Sequence, residues 1–220
     1  MNGKFMVLEG IDGSGTTTQA QLLTNYLFEK DKKNIVVLTR EPTKISPYGI
    51  TLRRRLVGNL LPGEQVINEP EYWANLFIND RLWHVENVVE PSLQIGLQVV
   101  SDRHKLSTLA YQSAQGMDLD YLIKQHDSLD PPDLTIFLDI PAALATHRMG
   151  GDQQRTKEYF DGLEFQEKVR QKYLLVIEKL RDTEKIVILD GSLPVEAVAK
   201  AVQKEIDVLY GYGAAISSLK

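Results

Sequence analysis

The sequence predicts an α/β protein, a three-layer α/β/α sandwich around a five-stranded parallel sheet. Short apolar runs recur along its 220 residues, and each is followed by a stretch with helical periodicity. The runs occupy residues 5–9, 35–39, 97–102, 134–139 and 185–190. Strands that are apolar on both faces and alternate with helices are typical of a parallel sheet covered on both sides.

The composition is that of an ordinary globular chain, and it excludes several kinds of function. The formal net charge of -5 predicts no broad basic face, so general binding to nucleic acid is not expected. The absence of cysteine excludes disulfides and thiolate chemistry. No apolar run approaches the length of a membrane span, and the amino terminus lacks a secretory pattern. We therefore expect one cytoplasmic domain over residues 1–220 that binds no membrane.

The first apolar run leads into the stretch EGIDGSGTTTQ, residues 9–19, which has the spacing of a phosphate-binding loop. In the pattern G-x-x-x-x-G-K-[ST], Gly10, Gly15 and Thr17 match, but Thr16 replaces the lysine. A strand precedes the loop and a helical pattern follows it, as this motif requires. Backbone N–H groups and the positive end of that helix can surround a phosphate chain without a side-chain charge. The predicted ATP-binding residues are Gly10, Gly13, Ser14, Gly15, Thr16, Thr17 and Thr18.

The same motif predicts a magnesium site. The hydroxyl of Thr17 occupies the position at which such loops ligate Mg²⁺, and Asp102 ends the third run, where a carboxylate can hold the ion through water. Arg103 follows at the carboxyl end of a strand, the edge at which open α/β sheets bind ligands. The alternatives are a turn residue at Asp102 and a simple surface ion pair between Asp102 and Arg103.

A long helical region lies between the second and third runs, and the loop GNLLPG at residues 58–63 divides it in two. Its second half carries an apolar stripe over residues 73–89. Phe77 and Arg81 are four residues apart there, so they share a helix face and could bind a base and a phosphate together. A core phenylalanine beside an ion-pairing arginine is the alternative interpretation.

The segment after the fourth run predicts a mobile lid. RMGGDQQRTKEYFD, residues 148–161, is polar and charged and contains two adjacent glycines. A segment of this kind in a protein with a phosphate loop is typical of a flap that closes over a site. A helical pattern follows it to about residue 181.

Together these stretches resemble thymidylate kinases, and the similarity spans nearly the whole chain. It is carried by FMVLEGIDGSGTTTQ, TREP, LFINDRLWH, SDRHKLSTLAYQ, PPDLTIFLD, LEFQEKVRQKY and ILDGSLPVEAV. DRHKLSTLAYQ and the pairing of F-x-x-x-R with the glycine loop are specific to that family, whereas PDLxxxLD is shared with related nucleotide kinases. The resemblance implies the strand order 2-3-1-4-5 and a homodimer packed through helices. It also implies transfer of the ATP γ-phosphate to dTMP with Mg²⁺, giving dTDP and ADP.

The resemblance further implies roles at the acceptor site. It places Asp12 near the sugar 3′-hydroxyl and Phe77 against the thymine ring. Arg81 and Arg103 would clamp the acceptor monophosphate, and Asp12 and Arg103 are counted among the catalytic residues. The other dTMP-binding residues that it implies are Pro42, often preceded by a cis peptide, with Thr108, Tyr111 and Gln112. Two arginines around one phosphate supply both charge and fork geometry, which agrees with these roles.

Because the lysine is missing, the sequence leaves open which cation neutralises the negative charge on the transferred phosphoryl group. Some branches of the family place an arginine at the position of Gly13, so here the lid must supply the cation. Arg148 and Arg155 are the predicted catalytic cations, and Lys157 is the third candidate. This lid is poorer in arginine than that of bacterial members, and Tyr159 stands where an arginine is usual.

Two alternatives to an active dTMP kinase remain at this point. A catalytically silent nucleotide-binding protein would keep the pockets and lose the chemistry with Thr16. A kinase for another pyrimidine monophosphate would keep the loop but alter the contacts around Thr108. Phosphoryl transfer depends mostly on positioning and charge neutralisation, so losing one cation raises the barrier without removing the mechanism. The presence of Asp102, Arg81 and Arg103 together favours the active kinase.

Overall fold

The protein is described by a computed structural model that covers residues 3–150, 160 and 162–212. Its strands are β1 (Phe5–Glu9), β2 (Val36–Arg40), β3 (Gln98–Asp102), β4 (Leu134–Asp139) and β5 (Ile186–Asp190). They form one parallel sheet in the order β2-β3-β1-β4-β5. Each strand end lies within one residue of the run that predicts it, so the predicted fold class and strand order are confirmed.

Helices connect the strands and cover both faces of the sheet. They are α1 (Thr16–Lys30), α2 (Pro47–Leu56), α3 (Pro70–His84), α4 (Glu90–Gln94), α5 (Lys105–Ala114), α6 (Leu119–Lys124), α7 (Ala142–Gly150), α8 (Leu163–Leu180) and α9 (Val195–Tyr210). A π-helical turn, Val85–Val89, joins α3 to α4. Within the described ranges, none of the helices has the length and apolar character needed to cross a bilayer.

The central strand β1 divides the core between the two faces, because successive side chains on a strand point to opposite sides. Met6 and Leu8 pack in a buried cluster with residues of α1 and α9. Phe5 and Val7 pack on the opposite face with Val89. All five residues of β1 are buried, which explains the continuous apolar run at this point of the sequence.

The long helical region divides at the GNLLPG loop as predicted, with α2 before it and α3 after it. Trp73, Val85 and Val89 of the apolar stripe are buried within this chain. The π-helical turn ends two residues before Pro91, which has no N–H to donate to the helical ladder. The stripe is therefore explained by core packing in this chain.

The sheet brings three functional segments to one edge. β1 pairs with β3 so that Leu8 lies opposite Asp102, and β2 pairs with β3 so that Arg40 lies opposite Asp102. Since the strands are parallel, the loop after β1, the Asp102 carboxylate and the Arg40 side chain emerge at the same carboxyl edge.

Candidate active site

The phosphate loop turns tightly between β1 and α1. Gly13 and Gly15 have φ of 84° and 96°, in the left-handed region that favours glycine. A Cβ on Gly13 would also lie 2.5 Å from the carbonyl oxygen of Ala145. α1 begins at Thr16 with no side-chain cap and no acidic residue in its first turn. The positive end of this helix is therefore open to an anion.

A cavity of about 890 Å³ lies over this loop and is called the donor cavity below. It is lined by residues 12–19, 40–42, 53, 56–57, 103, 148–149, 191–195 and 198. The lining includes all the predicted ATP-binding residues except Gly10, whose carbonyl instead accepts a hydrogen bond from Arg103 at 2.8 Å. Thr16 faces the cavity with a largely buried, uncharged side chain.

The residues predicted to hold magnesium lie together beside the loop. The Thr17 hydroxyl donates to Asp102 Oδ2 at 2.5 Å. Asp102 Oδ1 is buried and has no hydrogen-bond partner, so this carboxylate has an unused acceptor. Among the described residues no group of three acidic, histidine or cysteine side chains forms a closed metal cage. A hydroxyl and one carboxylate suit Mg²⁺, which keeps several waters and binds substrate phosphates.

Asp12 and Arg103 form the junction between the donor cavity and the acceptor side. Arg103 Nη2 donates to Asp12 Oδ1 at 2.6 Å. The other carboxylate oxygen accepts from the Tyr111 hydroxyl at 2.9 Å and from the Gln166 amide at 3.1 Å. Three side chains from different parts of the chain thus hold the Asp12 carboxylate in place within the phosphate loop. Gln166 belongs to the LEFQEKVRQKY stretch that carries the resemblance, but no role was predicted for it.

A buried carboxylate behind the loop, Glu9, positions the segment that carries Arg103. It accepts from the backbone N–H groups of His104 at 2.8 Å and Ser107 at 3.2 Å. The hydroxyls of Ser107 and Tyr173 donate to its second oxygen at 2.6 and 3.0 Å. Burial raises the pKa of Glu9 to about 7. A glutamate at a strand end gives no local indication of such a network, so sequence reasoning missed it.

A smaller cavity of about 60 Å³, the acceptor pocket, opens beside Asp12 and Arg103. It is lined by Asp12, Pro42, Leu56, Phe77, Arg103, Ser107, Thr108, Tyr111, Gln112 and Phe160. Four of these residues also line the donor cavity, so the two spaces belong to one cleft. The peptide before Pro42 is cis, as the resemblance implies. The structure therefore brings Phe77, Thr108, Tyr111 and Gln112 together as predicted.

Two side chains of the acceptor pocket carry buried polar atoms without a partner. Thr108 Oγ1 has no hydrogen bond. Gln112 Nε2 donates to Gln115 Oε1 at 3.1 Å, while Gln112 Oε1 has no partner. Buried polar atoms in native proteins are nearly always paired, so unpaired atoms on residues that line a pocket indicate a polar ligand.

Phe160 closes the apolar end of this pocket, which the sequence did not predict. It is buried and packs edge-on against Trp73 and Tyr111, with ring centroids 5.7 Å away in each case. It also stacks on Phe165 at 5.4 Å. The segment predicted as the lid thus contributes an aromatic wall to the acceptor side.

Arg81, the second predicted phosphate clamp, is buried and lines neither cavity. Its guanidinium contacts Glu41 Oε2 at 2.8 Å, His126 Nε2 at 2.8 Å and the His104 carbonyl at 2.9 Å. Although burial opposes ionisation, Arg81 and then His104 hold the pKa of Glu41 well below its usual range. Phe77 faces the pocket but Arg81 does not, because Glu41 at the end of β2 takes the guanidinium.

Only part of the predicted lid is described. Arg148 lies in the last turn of α7 and lines the donor cavity, where it donates to the carbonyls of Gly191 at 2.9 Å and Ser192 at 3.1 Å. Arg155, like the third candidate Lys157, lies outside the described residues.

Two further arginines line the donor cavity, and sequence reasoning missed both. Arg53 of α2 donates to the backbone carbonyls of Thr43 and Pro42. Arg40 ends β2, and its Nη2 lies 3.7 Å from Asp102 Oδ2. Arg53 resembles any surface arginine of a helix in sequence, and Arg40 lies in the TREP stretch, from which no role was predicted for it.

Comparison with known proteins agrees with this geometry. A sequence model of the family described as thymidylate kinase matches residues 8–202. A relative named "Probable thymidylate kinase" from Thermococcus kodakarensis is 37% identical, with 94% of this chain and 98% of the relative covered. A second, from Pyrococcus horikoshii, is 42% identical over 81% of this chain and 84% of its own. A protein named "Thymidylate kinase" from Carboxydothermus hydrogenoformans is 34% identical over 96% of this chain and 100% of its own.

Proposed function

The chain belongs to the thymidylate kinase family and phosphorylates dTMP, and we propose that ATP is its phosphate donor and Mg²⁺ its metal. The donor proposal is supported by the phosphate loop and the uncapped start of α1, both of which line the donor cavity. The metal proposal is supported by the Thr17 hydroxyl and the unpaired oxygen of Asp102. When bound, Mg²⁺ would neutralise charge on the phosphates of the donor.

The observation that carries the acceptor proposal is the pair of unpaired polar atoms in the acceptor pocket. Gln115 holds the Gln112 amide so that Oε1 is left as an acceptor. The thymine edge presents an N3–H donor between two carbonyl oxygens, so N3–H can donate to Gln112 and a carbonyl can accept from Thr108. Cytosine presents a lone pair at N3, which would face the lone pairs of Gln112 Oε1. Phe77 supplies an aromatic wall for the ring.

Asp12 and Arg103 are proposed to act where the sugar and the acceptor phosphate meet the donor. Arg103 carries a positive charge into the cleft that both cavities share, which suits the dTMP phosphate. Asp12, held by Tyr111 and Gln166, can accept a hydrogen bond from the sugar 3′-hydroxyl. Arg81 supports this side indirectly, through Glu41 and the His104 carbonyl.

The chemistry needs no covalent enzyme intermediate. An acceptor phosphate oxygen of dTMP attacks the γ-phosphorus of ATP, and ADP leaves. The loop N–H groups and the start of α1 stabilise the charge on the transferred group. We propose that Arg148 and Arg155 contribute from the lid, as predicted from the resemblance. Thr16 can donate a hydroxyl hydrogen bond but adds no charge.

A steady-state assay with ATP and Mg²⁺ against dTMP, dUMP, UMP and CMP tests this function. We expect dTMP to be the preferred acceptor. The kcat/KM for dUMP should be lower than that for dTMP because dUMP lacks the methyl group. The difference should correspond to about 1 to 3 kcal/mol of transition-state free energy. CMP should be poor because its N3 cannot donate to Gln112. Absence of turnover on every acceptor would establish the silent alternative, and a preference for UMP or CMP would refute the assignment of the base pocket.

We also propose, from the family resemblance, that the protein is a homodimer that acts in the cytoplasm. The apolar stripe of α3 gives no separate support, because Trp73 and Val89 are buried within one chain. Sedimentation equilibrium at micromolar concentration would show twice the chain mass of 24.9 kDa if the dimer forms.

A further inference from the structure

Because Thr16 replaces the loop lysine, positive charge in the donor cavity has to come from other side chains. Among the described residues these are Arg40, Arg53, Arg103 and Arg148. Three of them donate to protein acceptors: Arg53 to two backbone carbonyls, Arg103 to Asp12 and the Gly10 carbonyl, and Arg148 to two carbonyls after β5. To contact a phosphate, each of these guanidinium groups has to give up hydrogen bonds or share them.

Arg40 is held differently. Its side chain is 44% exposed, and its contact with the described residues is an ion pair to Asp102 Oδ2 at 3.7 Å, beyond normal hydrogen-bond distance. The Asp102 side chain is 4% exposed, but the arginine end of the pair is partly in water and makes no hydrogen bond to the carboxylate, so this contact holds Arg40 less firmly than hydrogen bonds would. Arg40 can therefore turn toward a phosphate at lower cost than Arg53, Arg103 or Arg148.

The position of Arg40 also suits the task. Its contact atom, Asp102 Oδ2, is the same oxygen that accepts the Thr17 hydroxyl at 2.5 Å. Arg40 therefore lies next to the start of α1, on the β2 side of the loop, with Thr16 adjoining Thr17 in the same cavity lining. A guanidinium there can approach the phosphate oxygens beside the proposed metal site with two N–H groups at once.

We propose that Arg40 is a catalytic residue that supplies the positive charge missing at Thr16. In the reaction, an acceptor phosphate oxygen forms a bond to the γ-phosphorus of ATP. The bond from that phosphorus to the β,γ-bridging oxygen breaks, and the bridging oxygen leaves with the electron pair as part of ADP. Arg40 donates to the phosphate oxygens on which negative charge increases during this transfer. This role rests on the proposed ATP-dependent dTMP kinase activity.

A double-mutant cycle on kcat with Arg40→Gln and Thr16→Lys tests the role. We expect Arg40→Gln to lower kcat about 100-fold, the usual effect of removing one donor to transition-state charge. In the Thr16→Lys background the same change should cost less than about 10-fold, because the two cations act on the same charge and their effects do not add. The KM for dTMP should stay within about 3-fold in both backgrounds.

A smaller loss of kcat in the Thr16→Lys background distinguishes a catalytic role of Arg40 from a structural one. A lysine at position 16 cannot repair a fold that Arg40→Gln has weakened at the end of β2. Arg181→Gln is the matched control: this arginine is 60% exposed at the end of α8 and pairs with Glu178. It should leave kcat unchanged. An equal loss of kcat from Arg40→Gln in both backgrounds, or a loss below about 3-fold in the parent, overturns the role while dTMP kinase activity stands. A parent without turnover overturns both the role and the proposed function.

Discussion

At the scale of single residues, Arg103 combines a backbone constraint with a functional position. Its φ is 76°, and it is the one non-glycine residue with positive φ in the part of the chain that the structure describes. Such a conformation costs about 1 to 3 kcal/mol and persists where the surroundings over-determine it. The Arg103 N–H donates to the Leu8 carbonyl at 2.8 Å, and its carbonyl accepts from Ser101 at 2.7 Å. These contacts direct the guanidinium to the junction of the two cavities.

Replacing this side chain should affect the acceptor selectively. Arg103→Ala removes a charge-assisted contact worth about 1.5 to 3 kcal/mol, so kcat/KM for dTMP should fall by about 10- to 150-fold. Arg103→Lys keeps the positive charge but loses the forked pair of N–H donors, so its kcat/KM for dTMP should lie between those of the parent protein and Arg103→Ala. Calorimetric titration should show nearly unchanged ATP affinity in both variants. Equal losses of ATP and dTMP affinity would make Arg103 a structural residue.

At the scale of elements, the phosphate loop and α1 form a site from backbone groups. Gly13 has a left-handed φ and no room for a Cβ, because the Ala145 carbonyl of α7 lies against it. Gly63, in the loop between α2 and α3, has a similar φ of 85° but open space around it. The two glycines therefore separate the effect of backbone strain from the effect of a steric clash in the loop.

Alanine at these two positions should give different outcomes. Both substitutions place a Cβ in the left-handed region, which costs about 1 to 2 kcal/mol of stability in urea denaturation. Gly13→Ala should in addition displace the loop and reduce ATP affinity at least about 10-fold, whereas Gly63→Ala should leave affinity and kcat unchanged. Normal ATP binding by Gly13→Ala would mean that the loop does not depend on this geometry.

At the scale of the whole molecule, Glu9 links the central strand to the helical layer. It lies at the end of β1 and contacts the start of α5 through His104 and Ser107 and α8 through Tyr173. Burial raises its pKa from 4.5 to about 7. Because the folded protein binds this proton more tightly than the unfolded chain does, the contribution of Glu9 is fully favourable below about pH 4.5 and is lost as pH rises through about 7.

The pH dependence of stability should therefore change in Glu9→Gln. The difference between the unfolding free energies of the parent and the variant should fall by about 3 kcal/mol from pH 4.5 to pH 8. Urea denaturation at several pH values measures it. Burial lowers the pKa of His104 to about 4 and of His126 to about 3, which makes stability rise with pH up to about 6.5. The comparison with Gln isolates Glu9 from these opposing groups, and a constant difference across the range would contradict the prediction.

The sequence by itself determined the features that depend on a few neighbouring residues. Each strand was predicted within one residue because a buried parallel strand needs a continuous apolar run. The phosphate loop was predicted because its glycines and its position between strand and helix are local requirements. The resemblance added the strand order, which local patterns do not specify, and the structure confirms it.

Only the tertiary structure decided where the long charged side chains go. The resemblance implies a place for Arg81 at the acceptor phosphate, whereas its partner Glu41 comes from the end of β2, 40 positions earlier. Arg40 belongs to the TREP stretch, which by itself indicates no role for it, and it reaches the donor cavity because β2 and β3 pair in a register that sets it opposite Asp102. An arginine side chain takes whatever carboxylate, carbonyl or phosphate the packed elements bring within reach, and that set exists only once the sheet has formed.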